Sequence, residues 1–160
     1  MLRRDQSRIE GHHTEHKKES ELAHMPIVTP AEPEQNLDEF EPYMALFKEY
    51  EARNEAKIHD DLLEMVRGLR MEGAKGSTFR YFGYRSSVNS LINGPGIGLF
   101  SEDRVYVGEW FNGSFDGLGT LTQLGESYKG SFENNEFHGL GRLNYNQEEY
   151  KEGIWEKGQL

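Results

Sequence analysis

The residues best suited to bind a metal ion lie near the N-terminus, where His12, His13 and His16 surround Glu15. Imidazole nitrogens and carboxylate oxygens are common ligands of zinc and nickel. Their order differs from H-E-x-x-H, in which two histidines four residues apart share one face of a helix. The neighbouring residues are polar, and histidines in such a segment are usually solvated. The sequence therefore predicts no structural metal site here, and at most adventitious binding of zinc or nickel.

The sequence offers even less support for catalytic residues than for a metal site. His138 has polar neighbours, but no serine or carboxylate stands at a spacing that would complete a catalytic triad, and Asp116 is similarly placed. Gly94, Gly96 and Gly98 resemble a phosphate loop only superficially, because no G-x-G-x-x-G pattern opens a helix there. The chain has no cysteine, which removes a thiolate nucleophile, a cysteine-based zinc site and disulfide bonds. We predict a protein that is not an enzyme, with no catalytic residues and no cofactor.

Composition and charge narrow the choice of partners. The formal net charge is -10, which disfavours nucleic acid and anionic membrane surfaces because both attract clustered Lys and Arg. No apolar run approaches the roughly 20 residues that span a bilayer. Hydrophobic residues make up only 35% of the chain, too little for one large core. The sequence therefore favours a protein partner and predicts that part of the chain lies outside a packed domain.

The chain divides into three parts. Residues 1–36 are polar and contain Pro26, Pro30 and Pro33, which predicts a flexible arm. Residues 37–72 are predicted to form an amphipathic helix, and residues 79–160 form a repeat array with one degenerate, two full and one truncated unit.

The predicted helix carries two apolar patches separated by a polar middle. Within each patch the residues are spaced three or four apart, as on one face of a helix. The patches comprise Tyr43, Phe47 and Tyr50, then Ile58, Leu62, Met65 and Leu69. Two interpretations remain open: both patches cover the repeat sheet, or one of them binds a partner as a helix in a groove.

The repeat has a period of 22 residues. Residues 106–110 are Tyr-Val-Gly-Glu-Trp, followed by Asn-Gly and then by Gly-Leu-Gly-Thr-Leu at 117–121. Residues 128–143 repeat this order. A third unit starts at Tyr150 with one extra residue before Trp155, which suggests a bulge. Upstream, residues 96–100 match the second half of a unit whose first half, around Tyr81 and Gly83, is degenerate.

Turn chemistry predicts the strand register. Asn112-Gly113 favours a type I′ hairpin turn, which needs positive φ at both positions. The partners would then be Trp110 with Phe115, Gly108 with Gly117, and Tyr106 with Gly119. In the next unit the predicted pairs are Phe132–Phe137, Gly130–Gly139 and Tyr128–Gly141. Because side chains alternate between the faces of a strand, one face would carry the rings over bare glycines. The other face would be mostly polar and wet, with a thin Leu118–Leu140 stripe.

This pattern closely resembles the MORN repeat family, over roughly residues 81–160. The resemblance implies a mainly β fold: an elongated antiparallel sheet of stacked β-hairpins, here preceded by one long α-helix and a disordered N-terminal arm. Such arrays are generally interaction or positioning modules, found in junctional membrane proteins, phosphatidylinositol phosphate kinases, radial spoke heads and apicomplexan cytoskeletal scaffolds.

The expected function is that of a non-catalytic scaffold or accessory subunit that binds protein subunits of a larger complex. It would bind through the aromatic/glycine face, an open sheet edge after an incomplete last hairpin, and the N-terminal arm. The predicted repeat-face residues are Tyr106, Trp110, Phe115, Tyr128, Phe132, Phe137, Tyr150, Trp155 and Leu160.

The alternative is a peripheral phospholipid-tethering module. Between residues 102 and 160 there are five basic residues and eleven acidic ones, so the local charge has the wrong sign for anionic lipid. The resemblance favours an intracellular cytoskeletal or ciliary location, with an organellar membrane complex as the other possibility.

Overall fold

The computed structural model describes residues 36–160. The arm predicted for residues 1–36 and the histidine cluster within it lie outside the described residues, apart from Asn36. A 3-10 segment (Asp38–Tyr43) leads into two helices, α1 (Met44–Arg53) and α2 (Glu55–Asp60). The strands are β1 (Leu63–Glu72), β2 (Thr78–Ser86), β3 (Ile92–Leu99), β4 (Val105–Phe111), β5 (Ser114–Gln123), β6 (Glu126–Glu133), β7 (Glu136–Asn144) and β8 (Tyr150–Trp155), with a short 3-10 turn (Ala74–Gly76) between β1 and β2.

The eight strands form a single sheet in chain order, and each pairs antiparallel with its neighbours. This confirms the predicted mainly β fold of consecutive hairpins preceded by a helix. Within residues 36–160, no helix is both long and apolar enough to cross a membrane.

The helical region is shorter than the predicted range of residues 37–72. The last helical residue is Asp60, and Leu62 has a φ of 53°, which no α-helix accepts. The chain then extends into β1, which pairs with β2 along its length.

A bulge in β1 explains why the sequence pattern resembles a helix there. Gly68 has a φ of 64°, and the register with β2 shifts between Val66 and Leu69. Such a bulge interrupts the period-two alternation of a strand. Met65 therefore packs on the helix side of the sheet while Val66 and Met71 pack on the opposite side. The resulting apolar spacing fits a helix as well as a strand.

The hairpin turns form as predicted. Asn112 and Gly113 have φ values of 47° and 82°, and Asn134 and Asn135 have values of 47° and 70°, as a type I′ turn requires. Each turn is also tied to the preceding hairpin. The Gly113 N–H donates to a carbonyl of β3, and the Asn135 N–H donates to the Phe115 carbonyl at 3.0 Å. Neighbouring repeats are therefore coupled by backbone hydrogen bonds at the turns as well as by strand pairing.

The predicted register is correct next to the turns and wrong beyond them. Trp110 does pair with Phe115, but Gly108 pairs with Gly119 instead of Gly117. The intervening shift is a bulge at Gly117, whose φ of 100° is open to glycine and strained for other residues.

The second unit repeats the same correction. Phe132 pairs with Phe137, whereas Gly130 pairs with Gly141 and Tyr128 with Leu143. Gly139, with a φ of 67°, forms the bulge. In the first unit the predicted Tyr106–Gly119 pair is likewise replaced by Tyr106–Leu121. In each repeat, the first glycine of Gly-x-Gly thus bends the strand and the second faces the partner glycine.

The third unit differs from its prediction. The pairing of β7 with β8 has no register shift and aligns Gly141 with Gly153 and Leu143 with Lys151. Lys151 therefore takes the place that Tyr128 has in the preceding unit, and Tyr150 lies one position earlier. The extra residue belongs to the β7–β8 loop and does not form a bulge in β8.

In the upstream unit, the position of the Gly-x-Gly segment also differs from the predicted one. Gly83 pairs with Gly96, and Tyr81 pairs with Gly98. Gly94, with a φ of 87°, precedes Gly96 by two residues, as Gly117 precedes Gly119. The segment equivalent to Gly-x-Gly is therefore residues 94–96, two positions earlier than the sequence match suggested.

One face of the sheet, here called the inner face, carries an aromatic core. Its rings pack against each other along the array, and both edge-to-face and stacked pairs occur. The aromatic core comprises Phe79, Tyr81, Ile92, Tyr106, Trp110, Phe115, Tyr128, Phe132 and Trp155.

Glycines at fixed positions make room for the tyrosine rings. A Cβ at Gly119 would lie 2.5 Å from a ring carbon of Tyr106, and one at Gly141 would meet the Tyr128 hydroxyl. The prediction that the rings cover bare glycines is thus correct, although the strand pairing differs from the predicted register.

Gly119→Ala should therefore destabilise the protein by about 2–3 kcal/mol, the cost of overpacking a filled core. Gly113→Ala is a suitable control because its Cβ would meet nothing within 4 Å, leaving only the roughly 1 kcal/mol cost of a left-handed backbone. Urea denaturation of both variants measures the difference. Equal losses would contradict the ring-over-glycine packing.

The opposite, outer face is covered by α1 at one end and open at the other. The helix-side core there contains Phe40, Phe47, Tyr50, Phe82, Ile97, Val105 and Val107. The sequence predicted this face to be mostly polar and wet. That prediction is wrong over β2–β4, where Val107 is 2% exposed, because α1 supplies the apolar cover.

Candidate protein-interaction face

The edge of α1 reaches β5, and from that edge onward the outer face of β5–β8 exposes a set of side chains that we call the uncovered outer face. Strand pairing places these side chains in two cross-strand rows, the second continuous over β5–β8 and the first made of two pairs on either side of the β7 bulge. One row is largely apolar and the other largely charged. The uncovered outer face comprises Leu118, Ser131, Leu140 and Ile154 in the first row, and Thr120, Lys129, Arg142 and Glu152 in the second.

The apolar row is unusually exposed for branched aliphatic residues. Leu140 is 72% exposed and Ile154 is 73% exposed, and the two are direct cross-strand partners. Leu118, at 37% exposure, lies closer to the helix. Isolated exposed leucines are normal on a protein surface, but contiguous ones mark interaction sites.

The charged row combines two cations with one carboxylate. Arg142 lies 3.8 Å from Glu152, and both are about half exposed. Its guanidinium also lies 3.7 Å from the centroid of the Tyr150 ring, an arrangement that favours cation–π attraction. No ion pair is found for Lys129 among residues 36–160. In a strongly acidic chain, this patch therefore carries a local positive charge.

The edge of α1 marks where the covered face ends. The Tyr50 hydroxyl lies 3.0 Å from the Thr120 hydroxyl. The Asn54 side chain donates to Glu109 at 3.1 Å, and the second carboxylate oxygen of Glu109 accepts the Leu118 N–H at 2.6 Å. Glu109 thus fastens the C-terminal end of α1 to the β5 bulge.

Two depressions follow the helix edge. A cavity of about 120 Å³ lies between α1 and strands β5 and β6, and a shallower groove of about 450 Å³ lies over β6–β8. Lys129 lines both of them, so the depressions adjoin.

The structure places most of the predicted repeat-face residues in the interior. Tyr106, Trp110, Phe115, Tyr128, Phe132 and Trp155 belong to the aromatic core, and Phe137 packs against it. Tyr150 and Leu160 are 50% and 58% exposed. Because the buried rings pack against one another, little of their surface is accessible to a partner. Binding through the sheet edge at β8 stays a prediction.

The sequence contained part of the signal for the uncovered outer face. Alternation placed Leu118, Leu140, Lys129 and Arg142 together on the face opposite the rings. The sequence pattern assigns no face to Ile154, because the third unit carries an extra residue, and only the β7–β8 pairing places it beside Leu140.

The core tyrosines are held by burial and by local hydrogen bonds. The hydroxyls of Tyr81, Tyr106 and Tyr128 each donate to the carbonyl three residues further on, at 2.6, 2.7 and 3.0 Å. Burial raises the pKa of Tyr81 and of Tyr106 well above the usual value of 10, and raises the pKa of Tyr128 to about 12.

These pKa values predict a loss of stability in alkali. Because the folded-state pKa of Tyr128 is about 12 and the unfolded value is about 10, its contribution is complete below pH 10 and declines as the pH rises toward 12. We expect the free energy of unfolding to fall in this range as buried tyrosines ionise. Urea melts across the range, with phenolate absorbance recorded in parallel, test this; constant stability up to pH 12 would contradict it.

Across residues 36–160, no three His, Cys, Asp or Glu side chains group in a way that could hold a metal ion. His138 lies 3.3 Å from Glu133, and both are well exposed. That arrangement is a surface contact between neighbouring strand positions.

Comparison with known families agrees with the geometry. A family model of the MORN repeat matches residues 106–123 and residues 128–147, which cover the hairpins β4–β5 and β6–β7. No curated protein matched the chain in a sequence comparison. MORN repeats generally take part in interactions with proteins or with membranes and lipids, and this hairpin fold is not a known enzyme family. The C-terminal half of the chain thus contains MORN repeats at residues 106–147, where the structure forms a series of β-hairpins.

Proposed function

We propose that this protein is a non-catalytic accessory or scaffold subunit that binds another protein of a larger assembly through its uncovered outer face. The observation that carries the proposal is the exposed pair Leu140 and Ile154, at 72% and 73% exposure. On the same face of β2–β4, equivalent area is covered by α1. A sheet face that is covered at one end and apolar at the other is suited to a second covering element.

Protein binding is favoured over the phospholipid alternative by charge. The uncovered outer face has only two cations, Lys129 and Arg142, and Glu152 partly offsets them. The whole chain has a net charge of -10. Membrane attraction of about 1 kcal/mol per basic residue would thus be opposed by the rest of the molecule. A protein partner needs only local complementarity.

The proposed setting is a cytoskeletal or ciliary assembly, with an organellar membrane complex as the alternative. Arrays of this family are generally found in such settings, which supports the proposal. The co-purifying proteins would decide between the two.

The proposal predicts how the protein fractionates from its own cells. In a gentle extract the native protein should elute in a large assembly, well above its monomer mass of 18.5 kDa. The double variant Leu140→Ser/Ile154→Ser should move to the monomer fraction, because it removes apolar contact without disturbing the aromatic core. Leu124→Ser is the matched control, since that leucine is 74% exposed in the β5–β6 turn.

Two outcomes would contradict the proposal. Elution of the unaltered protein at its monomer mass would remove the scaffold role. Retention of the double variant in the assembly would show that binding uses a different surface. Melting curves for both variants verify that the fold is intact.

A further inference from the structure

The chain itself shows how a helix binds this sheet. Along α1, successive contacts advance in the same direction as β2: Phe47 packs on Phe82, and Glu51 accepts a hydrogen bond from the Tyr84 hydroxyl at 2.6 Å. The helix therefore lies along the strands. Its apolar side chains enter the sheet face while the Arg53 side of the helix faces the open part of the sheet.

The uncovered outer face has room for one more helix. Packed helices lie about 8–10 Å apart, and neighbouring strands about 4.8 Å apart. Because α1 lies over β3 and β4, a helix packed directly against it would lie about two strands further along, over β5 and β6, and a helix over β6 and β7 would lie about 14 Å from it. The three exposed aliphatic residues span β5 to β8, roughly 14 Å across at that spacing, slightly more than a helix with its side chains. The cavity and groove that share Lys129 mark the same track.

The charged side chains of the uncovered outer face determine which residues such a helix would need. Lys129 and Arg142 are cross-strand partners in the centre of the track, and both are exposed. The apolar row runs beside them. Because the apolar row crosses the strands, a helix parallel to α1 that packs one turn on Leu118, Leu140 and Ile154 would place the adjoining turn, here called its flank, over these two cations, where carboxylates are favourable and lysines are not.

We infer that the uncovered outer face binds an amphipathic helix of its protein partner, parallel to α1, with the apolar residues of one turn on Leu118, Leu140 and Ile154 and acidic residues of the adjoining turn facing Lys129 and Arg142. This inference rests on the proposed function and adds the form and charge of the partner element. It extends the helix-on-sheet interface that α1 has already established.

Photo-cross-linking in the source cells tests the form of the partner. The photoreactive residue p-benzoylphenylalanine is placed in turn at positions 118, 140 and 154 of the full chain, and at position 124 as a control. Mass spectrometry then locates the cross-linked residues. The expected result is one acidic segment of one protein, with cross-links three or four residues apart, and none from position 124.

The other outcomes overturn the inference in distinguishable ways. Cross-links at every second residue would indicate an extended strand, which refutes the helix but leaves protein binding intact. Lipid adducts, or no protein cross-link from any of the three positions, would overturn both the inference and the proposed function.

A charge reversal tests the acidic flank. Lys129→Glu/Arg142→Glu should lower the cross-link yield from position 140 about tenfold, because repulsion replaces attraction at both positions. Lys157→Glu, in the turn after β8, is the matched control with an exposed lysine. A melting curve confirms that the double variant folds. A yield within twofold of the control would show that the flank is not acidic, while the apolar docking and the proposed function would stand.

Discussion

Trp110→Ala should cost about 3–5 kcal/mol of folding stability, the range for removing a large aromatic side chain from a core. The ring is 1% exposed and contacts rings on both sides along the array. Tyr81 and Tyr106 meet it edge-to-face at 5.4 and 5.1 Å, and Phe115 at 4.8 Å. Its indole N–H also donates to the Gly96 carbonyl at 3.2 Å. The loss therefore combines a cavity with a buried carbonyl left without its donor.

Chemical denaturation measures this effect, and Trp110→Phe separates its two causes. Phenylalanine restores much of the volume but lacks the N–H group, so its loss should be well below that of alanine. A change of less than about 1 kcal/mol for Trp110→Ala would show that the ring is not a core residue. The ring would then be available to contact a partner.

Phe47→Ala should detach α1 from the sheet, at a cost of about 3–5 kcal/mol. Phe47 is 1% exposed, packs edge-to-face on Phe82 at 5.5 Å and stacks on Tyr84 at 6.5 Å. A helix as short as α1 is not stable alone in water, so it depends on this packing. We expect hydrogen exchange to accelerate in α1 while the amides of β6 and β7 remain protected.

The control for this prediction is Lys48→Ala, one residue further on and exposed. It should leave both stability and exchange nearly unchanged. Uniform loss of protection across α1 and all eight strands in Phe47→Ala would contradict the separation of the two cores and would show that helix and sheet unfold as one unit.

The repeat array could be predicted from the sequence because its determinants are local. A type I′ turn depends on two residues such as Asn112 and Gly113, and strand alternation then assigns each ring to a face. These preferences act over a few residues and recur at a fixed period, so each unit supports the assignment of the next.

The bulges could not be predicted in the same way. Gly117 and Gly119 look equivalent in the sequence, yet one bends the strand and the other lies under the Tyr106 ring. The choice is made by how the ring packs against the opposing strand. The same holds for β1, where the bulge at Gly68 produces helix-like spacing and only pairing with β2 selects the strand.

The sequence by itself determined the hairpin repeat and the aromatic face. The tertiary structure alone decided which surfaces remain free. The rings that seemed available for binding are buried by one another, and Val107 is buried by a helix some sixty residues earlier in the chain. Exposure depends on contacts between distant segments, which no local pattern encodes. For that reason the proposed binding surface is centred on Leu140 and Ile154.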